Sequence, residues 1–147
     1  MGILPAILQR CKAKGYIVFD GSADFDLNII GERFNTVPNT FDDILHVVYK
    51  CNGLWQWEQF KCTTDPGTYH LLNPAKVAGT AILAPGQYRR SHELGLHRGK
   101  YEALVQRGPV KVYRDDTRDA IVDVHADNTQ IGYYGINIHK AGQNSTY

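Results

Sequence analysis

The sequence predicts a mostly β fold, β-sandwich-like, with one or two short helices. Three observations predict it. Short runs of apolar and aromatic residues recur along the chain, many alternating with polar positions as half-buried strands do. Turn-forming residues separate these runs. One pair of runs is joined by Asn52-Gly53, a strong short-range hairpin signal, because both residues tolerate positive φ. The nine Tyr and two Trp against one Met fit aromatic-rich strands.

The elements follow in order. Residues 3–14 read as a short helix, with Pro5 in the first turn and Gly15 as its stop. "YIVFDG" reads as a strand ending in a turn. "DFDLNIIGERF" alternates well enough for another, and "NTVPNTFDD" is a loop. "DILHVVYKC", Asn52-Gly53 and "LWQWEQFKC" form the hairpin. "TTDPGTYHLLNP" reads as a turn and a short strand. Residues 74–101 hold Gly and Pro besides "SHELGLHRGK", and read as a loop-rich region with one helical turn at most. "YEALVQ", "PVKVYRD", "AIVDVHAD" and "YYGINIH" are the remaining strands, separated by Gly-Pro, Asp-Asp-Thr and Asp-Asn turns. No internal repeat, low-complexity tract or linker interrupts this pattern, so residues 1–147 are expected to form one domain.

Bulk chemistry narrows the function classes. The formal net charge is +1, which argues against a broad electrostatic footprint for nucleic acid or an anionic membrane. Cys11, Cys51 and Cys62 are an odd count without CxxC spacing, so neither a zinc ribbon nor a disulfide framework is expected. Cys51 and Cys62 could face each other across the hairpin; two free buried thiols are the competing reading. "ILPAIL" is too short for a membrane span, and its basic residues follow it rather than precede it. No export signal is expected.

The histidines are the chemical candidates. His46 and His70 sit among apolar neighbours and read as half-buried strand residues. His92 and His97 lie in the Gly-rich region beside Arg89, Arg90 and Arg98. Those arginines disfavour a cation site. They suit a loop that contacts a carboxylate-bearing substrate, or one that is merely solvated. His125 and His139, fourteen residues apart, would make a zinc triad with Asp123 or Asp127 if a hairpin joined them, although their spacing matches no standard signature. In "GINIH", Ile136 and Ile138 alternate with Asn137 and His139. If the isoleucines face the core, His139 projects from the other side, a suitable place for a general base.

Two stretches carry a family resemblance. "TTDPGTYHL" resembles the turn-strand motif of the L,D-transpeptidase (YkuD-like) catalytic domain, and "YYGINIHKAG" resembles the strand that carries that family's histidine. They cover a small part of the chain, in the family's order. The resemblance implies an L,D-transpeptidase-like, mostly β domain in which residues 74–101 form a capping region. It implies cysteine acyl transfer on peptidoglycan stem peptides, by hydrolysis or transpeptidation, with His139 as the general base and no cofactor. Tyr88, Arg89, His97 and Tyr134 are the expected substrate contacts. The family's nucleophile lies in a Ser-x-Gly-Cys segment after the histidine. This sequence ends eight residues after His139, so that cysteine is expected beyond Tyr147 and the domain is expected to be truncated. With no export signal, a phage or prophage wall-degrading protein is expected, delivered by lysis or by the virion. The alternatives are a non-catalytic peptidoglycan-binding or virion structural protein on the same fold, and a metal-dependent amidase using His125 and His139.

Overall fold

A computed structural model describes residues 2–141. It is mostly β, with eight strands and two short helices among the described residues. The chain divides into two compact units, Met1–Asn35 with Phe41–Cys62, and Thr36–Thr40 with Thr63–Tyr147.

The first unit packs helix α1 (Ala6–Ala13) on a three-stranded antiparallel sheet of β1 (Asn28–Glu32), β2 (Asp43–Cys51) and β3 (Leu54–Cys62), in that order. The hairpin forms as predicted. Asn52 and Gly53 have φ of 52° and 74°, and the Asp24 carboxylate accepts both their amides at 2.8 and 3.1 Å. The helix ends where Gly15 N–H donates to Lys12 O (2.9 Å) and Tyr16 N–H to Cys11 O (3.0 Å), which satisfies carbonyls a helix end leaves open. Arg10 and Lys12 in the last turn suit the negative end of the helix dipole. Ile7, Leu8 and Val48 are buried at the centre, with Leu4, Val18, Ile30 and Trp55 around them. Each such aliphatic side chain contributes roughly 1.5–3 kcal/mol of burial.

Two expectations for this unit are corrected. "YIVFDG" is not a strand. Asn28 takes both backbone groups of Phe19 through its side-chain amide, with Phe19 N–H donating to Oδ1 (2.8 Å) and Nδ2 donating to Phe19 O (3.0 Å). That side chain does the work of a neighbouring strand at one residue only. Cys51 and Cys62 do not face each other. Register places Cys51 opposite Leu54 and Cys62 opposite Asp43, at the two ends of the hairpin, and all three cysteines are free and half-buried.

The second unit holds helix α2 (Thr68–Leu72) and strands β4 (Thr80–Leu83), β5 (His92–His97), β6 (Tyr101–Gln106), β7 (Val110–Asp115) and β8 (Thr129–Gly132). The strands form an antiparallel sheet β4-β7-β8 and a hairpin β5-β6. Leu71, Ile82 and Val122 are buried together, with Tyr113 packed on them. Gly79 has φ 102°, and a Cβ there would lie 2.1 Å from Asp115 O, so only glycine fits.

Corrections are more numerous here. "TTDPGTYHLLNP" does not give a strand. Residues 68–72 are helical, and Asn39 caps the first turn by accepting Thr68 N–H (3.1 Å) and donating to Thr68 Oγ1 (3.0 Å). His70 therefore lies on α2. The region 74–101 is less loop-like than expected, since β4 and β5 both fall in it. "AIVDVHAD" forms no strand. Its backbone turns instead around acidic side chains: Asp123 N–H donates to Asp115 Oδ2 (2.8 Å), and Ile121 N–H to Asp119 Oδ1 (3.0 Å). The strand lies later, at Thr129–Gly132, inside what reads as a turn. The polar residues 142–147 lie outside the described residues.

Candidate functional site

The site builds up from the β5-β6 hairpin. Arg98 and Gly99 take positive φ, 52° and 69°, and return the chain so that His97 lies directly opposite Tyr101. A third segment runs beside β6, where Ile138 pairs with Leu104 through two backbone hydrogen bonds of 3.0 and 2.8 Å. Cross-strand partners share a face. His97, Tyr101, Asn137 and His139 therefore fall on one face, and the side-chain contacts agree.

His97 and His139 stack, with ring centroids 3.9 Å apart and planes 14° from parallel. Their proton positions follow from their partners. His139 Nδ1 lies 2.8 Å from Lys140 O, which can only accept, so Nδ1 carries the proton. Tyr101 Oη is 3.0 Å from the same nitrogen and also reaches Lys140 O at 3.3 Å. In the neutral ring, Nε2 of His139 is then a bare acceptor. His97 is the opposite tautomer. Gln106 N–H donates to Asn137 Oδ1 (3.0 Å), which fixes the Asn137 amide so that its Nδ2 donates to His97 Nδ1 (3.1 Å). His97 Nε2 therefore carries the proton. Among the described residues neither Nε2 makes a hydrogen bond. Burial, the neighbouring His139 and Arg98 hold the His97 imidazole below the usual histidine range. The Lys140 ammonium lies 4.8 Å from the centroid of the Tyr101 ring.

The segment carrying Asn137 and His139 is held by side chains. Buried Gln106 donates through Nε2 to Gly108 O (2.9 Å) and Gly132 O (2.8 Å), and its Oε1 accepts Tyr134 N–H and Ile136 N–H, both at 3.0 Å. Every hydrogen-bonding position of that amide is used.

Of the expected substrate contacts, only His97 joins His139. Tyr88 donates its hydroxyl within its own unit, to Ala84 O (2.6 Å) or Lys111 O (3.1 Å). Arg89 is exposed in the turn before β5. The Tyr134 ring lies under the Arg114 guanidinium, 5.4 Å away. His92 and His97 do not share a loop. They end β5 at an odd spacing, so they occupy opposite faces. Sequence reading missed Tyr101, and it placed Asn137 on the side of His139 without giving it a role. The signal for Tyr101 was "HRGKY", a three-residue Gly-containing hairpin connection that pairs the flanking residues.

The proposed zinc triad does not form. His125 is exposed beside the turn at 126–127, and neither it nor His139 belongs to a group of three metal-ligating side chains among the described residues. His46, expected to be a half-buried strand residue, is on β2 and fully buried. Trp57 Nε1–H donates to its Nδ1 (2.9 Å), so Nε2 carries the proton and donates to Glu32 Oε1 (3.0 Å). The thiols lie in the first unit. Burial, then Asp43 and Asp42, push Cys62 up to about 11, and burial raises Cys11 despite Arg10 and Lys14.

No family model, curated protein or solved structure matches this chain.

Proposed function

We propose that this chain binds and processes peptidoglycan stem peptides, with the stacked His97–His139 pair as the contact site and His139 as the proton acceptor. The observation that carries the reading is the opposite tautomers of the two rings. His97 offers an N–H and His139 a lone pair, the complement of the C=O and N–H of a peptide group. A general base also needs its far nitrogen oriented by a fixed partner, and Lys140 O and Tyr101 Oη supply this. The chemistry in this proposal is cysteine acyl transfer, as the family resemblance implies, and the finer fold class, an L,D-transpeptidase-like β-sandwich, belongs to the same proposal. The helical course of residues 68–72 departs from the family's turn-strand motif, so the histidine segment carries the resemblance.

The state of the thiols favours a second reading. Cys62 and Cys11 are held protonated and are poor nucleophiles. A wall-binding or virion structural protein would use the same ring pair for recognition alone. Both readings are tested by titrating a purified stem peptide into the isotopically labelled protein. Shifts centred on His97, Tyr101, Asn137 and His139 are expected. Saturable shifts centred elsewhere, or none, would remove the site.

A further inference from the structure

The face that carries the ring pair also carries positive charge. The Tyr101 ring is its hub. The centroids of His97 and His139 lie 5.4 and 6.3 Å from that of Tyr101, and the Lys140 ammonium lies 4.8 Å from it. Burial, His139 and then the Arg98 guanidinium hold the His97 imidazole low, so the Arg98 charge is felt at the ring pair. Segments 97–101 and 137–140 hold Arg98, Lys100 and Lys140 and no Asp or Glu, in a chain whose net charge is only +1.

Lys140 is tied to this face more closely than an ordinary exposed lysine. Its carbonyl accepts from His139 Nδ1 (2.8 Å) and from Tyr101 Oη (3.3 Å), which fixes its backbone to the site. The Leu104–Ile138 pairing, carried on by two residues, would set Lys140 beside Glu102, on the opposite face from Tyr101. The ammonium goes instead to the Tyr101 ring. Arg98, Lys100 and Lys140 form no ion pair among the described residues. A cation–π contact orients an ammonium without neutralising it. Cations gathered without counter-charges raise the local potential, and an anion placed there lowers it.

We propose that Lys140 is the anion-binding residue of the ring-pair site, so that the site selects ligands with a carboxylate close to the peptide group that the two imidazoles contact. The His97 N–H and the His139 lone pair complement a peptide group and by themselves express no preference for charge. The anions a peptide carries are carboxylates, at a side chain or at its C-terminus. The Lys140 ammonium offers such a group a point charge with several donors, and Arg98 adds to the attraction. This selection presupposes peptide contact at the ring pair, the function proposed above, and the two are separable by experiment.

Two stem peptides are titrated into the isotopically labelled full chain at low salt. They are identical except that the carboxyl groups are free in one and amidated in the other. Both are expected to shift His97, Tyr101, Asn137 and His139. The free acid is expected to bind about fivefold more tightly, the contribution of an exposed ion pair at the strong end of its range. That preference is expected to fade at about 1 M salt, where the screening length is about 3 Å. Lys140→Gln leaves the main-chain carbonyl in place and is expected to bind the two peptides alike, while Lys140→Arg is expected to keep the preference. Equal affinities in the wild-type chain, with shifts still centred on the ring pair, would overturn the carboxylate selection and leave the peptide site standing. A preference undiminished in Lys140→Gln would overturn the role of Lys140. Shifts centred elsewhere, or none with either peptide, would remove the peptide site and the selection together.

Discussion

The β2-β3 hairpin and the 133–139 segment are held by opposite means; the segment, read from the sequence as a strand, forms only an isolated bridge and bends at Gly135, whose φ is 66°. The hairpin is a backbone ladder of nine residue pairs closed by two residues at positive φ. Among the described residues the segment has a single backbone bridge, at Ile138, and is further held by the side chains of Gln106, His92 and Tyr101. A ladder is stable but leaves side chains only their alternating faces. Side-chain anchoring gives up ladder bonds and gains control over where each residue sits. The segment built in the second way carries the candidate site.

The largest effect that would break this contrast is expected at Gln106. Gln106→Glu replaces an amide donor by an oxygen facing two carbonyls, Gly108 O and Gly132 O. A loss on the order of 3–5 kcal/mol is expected, the range for stranding buried polar groups. Chemical denaturation would measure it, and hydrogen exchange should place the damage at Tyr134 and Ile136. A loss within 0.5 kcal/mol, the level of an ordinary surface change, would mean the segment is held elsewhere.

The hairpin should respond more mildly. Gly53→Ala meets no atom within 4 Å, so its cost is the left-handed backbone alone, about 1–2 kcal/mol by denaturation. Asp24→Ala removes the exposed carboxylate that accepts the two turn amides, for an expected loss of about 0.5–1 kcal/mol with the hairpin retained.

The smallest effect is one of pH. Burial, His139 and Arg98 lower the His97 pKa in the folded protein. The unfolded chain therefore binds more protons below the ordinary histidine value of about 6.5, and this contribution to stability is lost as pH falls from there through the lowered folded value. His97→Asn should reduce that acid dependence between the two values, read as the shift in denaturation midpoint with pH. An acid dependence equal to wild type would contradict the assignment.

The same contrast explains what the sequence could reveal. The hairpin was legible to the residue because its signals are local: alternation, then Asn-Gly. So was β6, and α1 to within a few residues. What misled was side chains substituting for neighbours. Asn28 occupying Phe19, Asn39 capping Thr68, and the Asp115–Asp123 turn all depend on pairings eight or more residues apart, which periodicity does not encode. At the site, the alternation in "GINIH" placed Asn137 and His139 on one face correctly. Their partners His97 and Tyr101 lie 40 and 38 positions from the residues they touch, so only the folded register joins them.

The most direct test of the ring pair as a working site is turnover of purified muropeptides by the full chain and by His139→Ala, with circular dichroism confirming the fold. Loss of the base is expected to lower turnover by at least about a hundredfold, the low end for general-base catalysis, with the fold intact. Turnover undiminished in His139→Ala would contradict the assignment.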